Sequence, residues 1–171
     1  IRGLVGSEMC IRDRFISLLA CNSVDDNRAD TINLMIDEVS YLSSDELEGR
    51  ETGTIGEKKA AEYISSKFLE YGLVGKGTEG FFQTFEASIK ENPHTNTIKK
   101  KINATNVVGY LDNNQDETII IGAHYDHIGY GDFSSLYDGD REIHNGADDN
   151  ASGVSIMTVS YTHLTLPTTE A

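Results

Sequence analysis

Two stretches of the chain place apolar residues at helical spacing. Over Thr31–Leu42 they are Ile32, Met35, Ile36, Val39 and Leu42, with Asp30 placed to cap the first turn. Over Gly56–Tyr71 the inward positions are Ala60, Ala61, Ile64, Phe68 and Leu69, and Gly72 follows at the position where glycine ends helices. Between them, Ser43–Leu47 reads as a short turn and Glu48–Gly53 as a loop. The period then changes from helical to two. Phe81–Phe85 alternates as a strand does, and Asn92-Pro93-His94 is a turn. Lys99-Lys100-Lys101 is a solvated strand end rather than a basic patch. Asn106–Leu111 and Thr118–Ala123 are predicted strands joined by the turn Asp112–Asp116, the second being a continuous apolar run of the buried kind. A further helix opens near Ala151 and should run about three turns.

A helix pair, then strands, then a strand leading into a helix predicts an α/β domain with a mixed sheet. In such sheets ligands bind beyond the carboxyl ends of the strands. The run Gly122-Ala123-His124-Tyr125-Asp126-His127 lies at such an end, and Asn145-Gly146-Ala147-Asp148-Asp149-Asn150-Ala151-Ser152-Gly153 opens the last helix.

Composition narrows the functional classes. The 171 residues suffice for one domain with a core, at 38% hydrophobic and 25% charged content. A net charge of −14 argues against a nucleic-acid binder, which needs a basic face. No apolar run reaches the length of a membrane-spanning helix. Cys10 and Cys21 alone do not make a disulfide framework.

The two ends read differently from the middle. Ser7–Arg14 and Val159–Thr168 resemble translated sequencing-adapter read-through, so residues 1–14 and 158–171 are set aside as artefact. The five threonines and the proline of the latter stretch are poor helix formers. Residues 15–21, Phe15-Ile16-Ser17-Leu18-Leu19-Ala20-Cys21, look like the end of a bacterial lipoprotein signal peptide. In that reading Cys21 is lipidated, and residues 22–30 are a polar linker. The expected location is the bacterial cell envelope, lipid-anchored and periplasmic or surface-exposed, or the secreted space. Any membrane contact would pass only through that anchor. Residues 31–157 remain as the folded part.

The chemistry rests on three residues. His124 and Asp126 stand two apart, hence on one side of a strand. A carboxylate beside an imidazole can accept its N–H, fix its tautomer and leave the other nitrogen for a metal. Asp149 is a hard anionic ligand on a turn bounded by glycines. From the residues alone, Asp148, Asp149 or Asn150 could serve simply to cap the following helix.

Over roughly Tyr41–Met157 the chain resembles the zinc aminopeptidases of peptidase family M28. Tyr41–Arg50 is similar to that family's opening segment, Gly56–Ile64 to its first domain helix, and Asn106–Tyr110 to the strand before the metal strand. The two motifs around His124 and Asp149 are the specific part. The resemblance implies a three-layer α/β/α fold with a mixed sheet, truncated after the second metal motif. It implies a pair of zinc ions in the full-length parent, with His124 ligating one, Asp149 bridging both, and Asp126 orienting His124 as the catalytic-site carboxylate. It also implies peptide substrates cleaved from the N-terminus. The family's general-base Glu, neighbouring Glu ligand, later Asp ligand and final His ligand have no counterparts in this sequence. A catalytic zinc ordinarily has three protein ligands, so the fragment is expected to bind zinc poorly, to be inactive, and to expose a sheet edge and apolar surface. His127 and His144 are read as supporting or surface residues.

Two rival classes remain at the level of sequence. One is a calcium-binding extracellular domain using Asp132, Asp138, Asp140, Asp148 and Asp149, although Asp138–Glu142 lacks the alternating ligands of an EF-hand loop. The other is a non-catalytic binding domain on the same scaffold.

Overall fold

The computed structural model describes residues 28–90, 98–132, 135 and 139–164. Helix α1 spans 28–42, so Asp30 lies inside it rather than capping it. Helix α2, Ile55–Glu70, follows the predicted stripe closely. Thr54 caps it, its hydroxyl accepting from the Glu57 N–H, and Gly72 takes a φ of 79° just past the end. Ala60, Ala61, Ile64 and Phe68 are buried, but Leu69 is 67% exposed. One residue turns the helix by about 100°, which carries Leu69 off the stripe that ends at Phe68.

Between α1 and α2 the chain makes a 3-10 turn, Asp45–Arg50, where the sequence suggests a plain loop. Its Leu47 is fully buried. The hydrophobic core joins Leu42 and Leu47 to Ala60, Ile64 and Phe68 of α2, and to Leu73, Ala151 and Val154. Burying each of the large side chains stabilises the fold by roughly 1.5–3 kcal/mol.

The described sheets are two antiparallel ribbons. Strand β1, Val74–Gly75, pairs with β4, Gly109–Tyr110. Strand β2, Phe82–Lys90, pairs with β3, Ile98–Val107, from Phe82 opposite Val107 onward. The predicted strands at 81–85 and 106–111 are thus found, the first longer and the second split at Val108. Lys101 lies in β3, exposed and paired with Glu86 of β2 at 2.6 Å. Ile102 and Ala104 turn inward from β3. The expected turn at 92–94 lies outside the described residues, as do Cys21 and both flanking segments at 1–14 and 165–171.

Two expectations are corrected. First, Thr118–Ala123 forms no strand; Ile119 and Ile120 are 88% and 91% exposed. A strand requires a neighbour to take its N–H and C=O groups, and among the described residues none runs beside this segment. These isoleucines border a cleft of about 640 Å³ that Ile64, Phe68, Val107, Val154 and Tyr161 also line. Second, helix α3, Ser152–Leu164, continues through the threonine-containing stretch. Tertiary contacts override weak propensity there: Thr158 is 1% exposed, and its hydroxyl donates to Glu38 of α1 and lies 3.0 Å from Val154 O. No helix of the described residues is long and apolar enough to cross a membrane.

Candidate metal centre

The loop that carries His124 is fixed through its neighbours rather than by a sheet ladder. Tyr125 is anchored at both ends. Its hydroxyl donates to Thr105 O in β3 and lies 3.5 Å from Glu57, and its carbonyl accepts from Arg50 Nε at 2.7 Å. Glu57, 5% exposed in the first turn of α2, also accepts the N–H groups of Gly53 at 2.6 Å and Thr105 at 3.1 Å. Burial, with the Glu57 carboxylate nearby, pushes the Tyr125 phenol well above its ordinary range.

Asp149 sits on a π-helical turn, Ala147–Ala151, entered from Gly146 at φ 59°. The Asp149–Asn150 peptide is cis. Asp149 has φ −111° and ψ 91°, outside helical geometry, so it is not simply the first residue of α3. Gly153 lets this turn close on α3, because a Cβ there would lie 2.3 Å from Asn150 Oδ1.

The three predicted residues come together. His124 Nε2 lies 3.1 Å from Asp149 Oδ1, and His124 Nδ1 lies 3.5 Å from Asp126 Oδ1 and 3.1 Å from the Asp126 carbonyl. Asp126 Oδ2 accepts the Thr52 hydroxyl at 2.8 Å. The His124 and Asp149 side chains are 55% and 69% exposed, so a ligand can reach them. His127, expected in a supporting role, stands with Nδ1 3.9 Å from Asp149 Oδ2. Burial holds its imidazole below the ordinary histidine range, with Asp149 opposing and Arg50, His144 and His124 reinforcing. It is therefore neutral at pH 7.

The donors fit a metal as two of its ligands. Ligand atoms of a tetrahedral zinc, at its usual bond lengths, stand about 3.4 Å apart, close to the 3.1 Å between His124 Nε2 and Asp149 Oδ1. A cluster of three or more His, Cys, Asp or Glu side chains able to hold a metal is not found among the described residues. The calcium constellation does not assemble around Asp132. Arg141 engages both its oxygens, at 3.0 and 3.3 Å, and Asp138 lies outside the described residues.

Residues 106–168 match the family model described as peptidase family M28. This stretch is similar to peptidase family M28. The M28 segment contains His124, Asp126 and Asp149; it begins later than Tyr41 and runs past Met157. Comparison with curated proteins and with solved structures returns no significant match.

Sequence reasoning misses Arg50, Thr52 and Glu57 as parts of the site. Arg50 is 1% exposed, and its guanidinium donates to the carbonyls of Leu42, Tyr125, Asn145 and Gly146. Burial pulls its pKa down, and the charges of Asp126 and Asp149 push it back up. The available signal is the polar run Glu48–Thr52 between two amphipathic helices, which by composition alone reads as loop.

Proposed function

We propose that the chain contributes two ligands, His124 and Asp149, to a co-catalytic zinc centre of an M28 aminopeptidase. In the whole enzyme Asp149 and His124 would hold zinc, with Asp149 shared between two ions, Asp126 would orient His124, and further side chains would complete the shell and supply the general base. When bound, zinc would supply Lewis acidity toward a scissile carbonyl and lower the pKa of an attacking water. The chain's own residues do the positioning. Asp126 faces His124 Nδ1, which directs Nε2 toward Asp149, and Thr52 keeps Asp126 in place. The whole enzyme would fold as three α/β/α layers and take peptides with a free N-terminus. A lipidated Cys21 would tether it in the bacterial cell envelope.

What supports this reading is the 3.1 Å approach of His124 Nε2 to Asp149 Oδ1 inside the M28 segment. With two ligands, this chain would hold zinc weakly and turn over no peptide. The test measures zinc content and leucine-p-nitroanilide hydrolysis side by side, in this chain and in one extended through the remainder of its gene. An active, zinc-containing extended chain beside an inert short one is the expected result. An extended chain that binds no zinc and cleaves nothing would move the reading to a non-catalytic binding domain.

A further inference from the structure

We propose that Arg50 is a positioning residue that sets the separation of the two metal motifs. The inference rests on the metallopeptidase reading for its purpose, but its geometry is independent of any metal. Arg50 Nε donates to Tyr125 O, the carbonyl between His124 and Asp126, at 2.7 Å. Its Nη1 donates to Asn145 O at 2.7 Å, and its Nη2 to Gly146 O at 2.9 Å, at the entrance to the turn carrying Asp149. Nη1 also donates to Leu42 O at the end of α1. One rigid, planar group therefore joins three chain segments.

The backbone beside Arg50 repeats the arrangement. Arg50 O accepts the His127 N–H at 3.1 Å, Gly49 O accepts that of Gly129 at 3.0 Å, and Gly129 O accepts that of His144 at 2.8 Å. Glu48, Gly49 and Arg50 take φ values of 46°, 67° and 48°, three successive left-handed residues of which two carry a Cβ. Such backbone persists only where its surroundings over-determine it. A Cβ on Gly49 would lie 2.5 Å from His144 O and 2.6 Å from Gly129 O, so the turn is pressed against the chain just after the first motif and just before the second. Residues 117–126 have no sheet ladder to hold them among the described residues. Side-chain donors to their carbonyls take over that task. Arginine suits it because its donors form a fixed fork, whereas lysine offers a compact ammonium that cannot span these carbonyls together.

The test uses the whole chain and its Arg50→Lys variant, which keeps the charge and loses the fork. Amide spectra are recorded without metal, and zinc affinity is then measured by calorimetry. In the variant, the amide resonances of 124–126 and 146–149 should move together while those of Leu47, Ile64 and Val154 stay in place. Where wild type binds zinc, affinity should fall roughly 10- to 100-fold, the usual cost of losing a group that orients ligands. A folded variant whose motif resonances match wild type overturns the proposal, as does one that binds zinc as tightly as a zinc-binding wild type. If the variant does not fold, wild type decides. The Arg50 Nε proton should exchange with water far more slowly than that of exposed Arg28, and equal exchange overturns the proposal. If His124→Ala leaves zinc binding unchanged, the metal reading fails, while the metal-free amide shifts still judge Arg50.

Discussion

The Thr52 hydroxyl donates to Asp126 Oδ2 at 2.8 Å, leaving Oδ1 to face His124 Nδ1 at 3.5 Å. The chain Thr52–Asp126–His124 thus links the turn before α2 to the candidate zinc ligand. Replacing Thr52 by valine keeps the shape and removes the donor. The Asp126 carboxylate then loses one of its fixed directions, and the imidazole loses its orientation. In a chain that binds zinc, Thr52→Val should weaken zinc roughly 10-fold with little change in thermal stability. Isothermal titration with zinc checks this; unchanged affinity would show that His124 is held by the Asp126 carbonyl alone.

Glu38 ties the three helical segments together. It is 2% exposed and accepts the Tyr71 hydroxyl at 3.0 Å, just past the end of α2, and the Thr158 hydroxyl from α3. Removing the acceptor strands a phenol, while Thr158 keeps Val154 O and Ser155 O as neighbours. Glu38→Ala should cost about 1–3 kcal/mol, the scale of losing buried hydrogen-bond partners. Thr158→Val should cost about 1 kcal/mol, because Glu38 retains Tyr71. Urea unfolding followed by far-UV circular dichroism measures both. Equal costs would mean that Tyr71 gains nothing from Glu38.

What can be read from the sequence is whatever local periodicity controls. The stripe Ala60, Ala61, Ile64 and Phe68 marks α2, Gly72 marks its end, and alternation over Phe81–Phe85 marks the start of β2. His124, Asp126 and Asp149 stand out because their residue types announce ligand chemistry. Thr118–Ala123 misleads because a buried strand depends on neighbours that composition does not specify. The helical state of 158–164 is hidden for the converse reason: contacts such as Thr158 with Glu38 decide it, not threonine's propensity. Arg50 is invisible because its partners are backbone carbonyls, which leave no trace in residue identity.

Two phenols make stability depend on alkaline pH. Burial, together with the nearby Glu38 carboxylate, pushes Tyr63 up to about 12. The same causes, plus its hydrogen bond to Glu38, raise Tyr71 further. The folded state therefore binds these protons more tightly than the unfolded chain, whose tyrosines titrate near 10. Their contribution is complete below pH 10 and is lost as pH rises through the folded values. Unfolding free energy should thus decline from about pH 10 toward pH 12. Tyrosinate absorbance should lag behind that of free tyrosine until the fold opens. Tyr63→Phe together with Tyr71→Phe should flatten the decline, as urea midpoints collected across this range will report.

Gly153 and Gly72 offer opposite reasons for glycine, and alanine substitution separates them. Gly72 has φ 79° and open space where a Cβ would stand, so Gly72→Ala meets only the left-handed backbone penalty of about 1–2 kcal/mol. Gly153 lies within α3, where helix propensity alone favours alanine by about 1 kcal/mol. Its Cβ, however, would lie 2.3 Å from Asn150 Oδ1 and 2.7 Å from Asn150 Nδ2. That same Nδ2 donates to His124 O at 3.3 Å, so displacing the Asn150 side chain releases the His124 loop from α3. Gly153→Ala should therefore destabilise by about 1–3 kcal/mol, the usual cost of overpacking. It should also shift the His124 ring resonances, which Gly72→Ala leaves in place. A stabilised Gly153→Ala chain in urea unfolding would mean that Asn150 swings aside freely and does not couple α3 to the His124 loop.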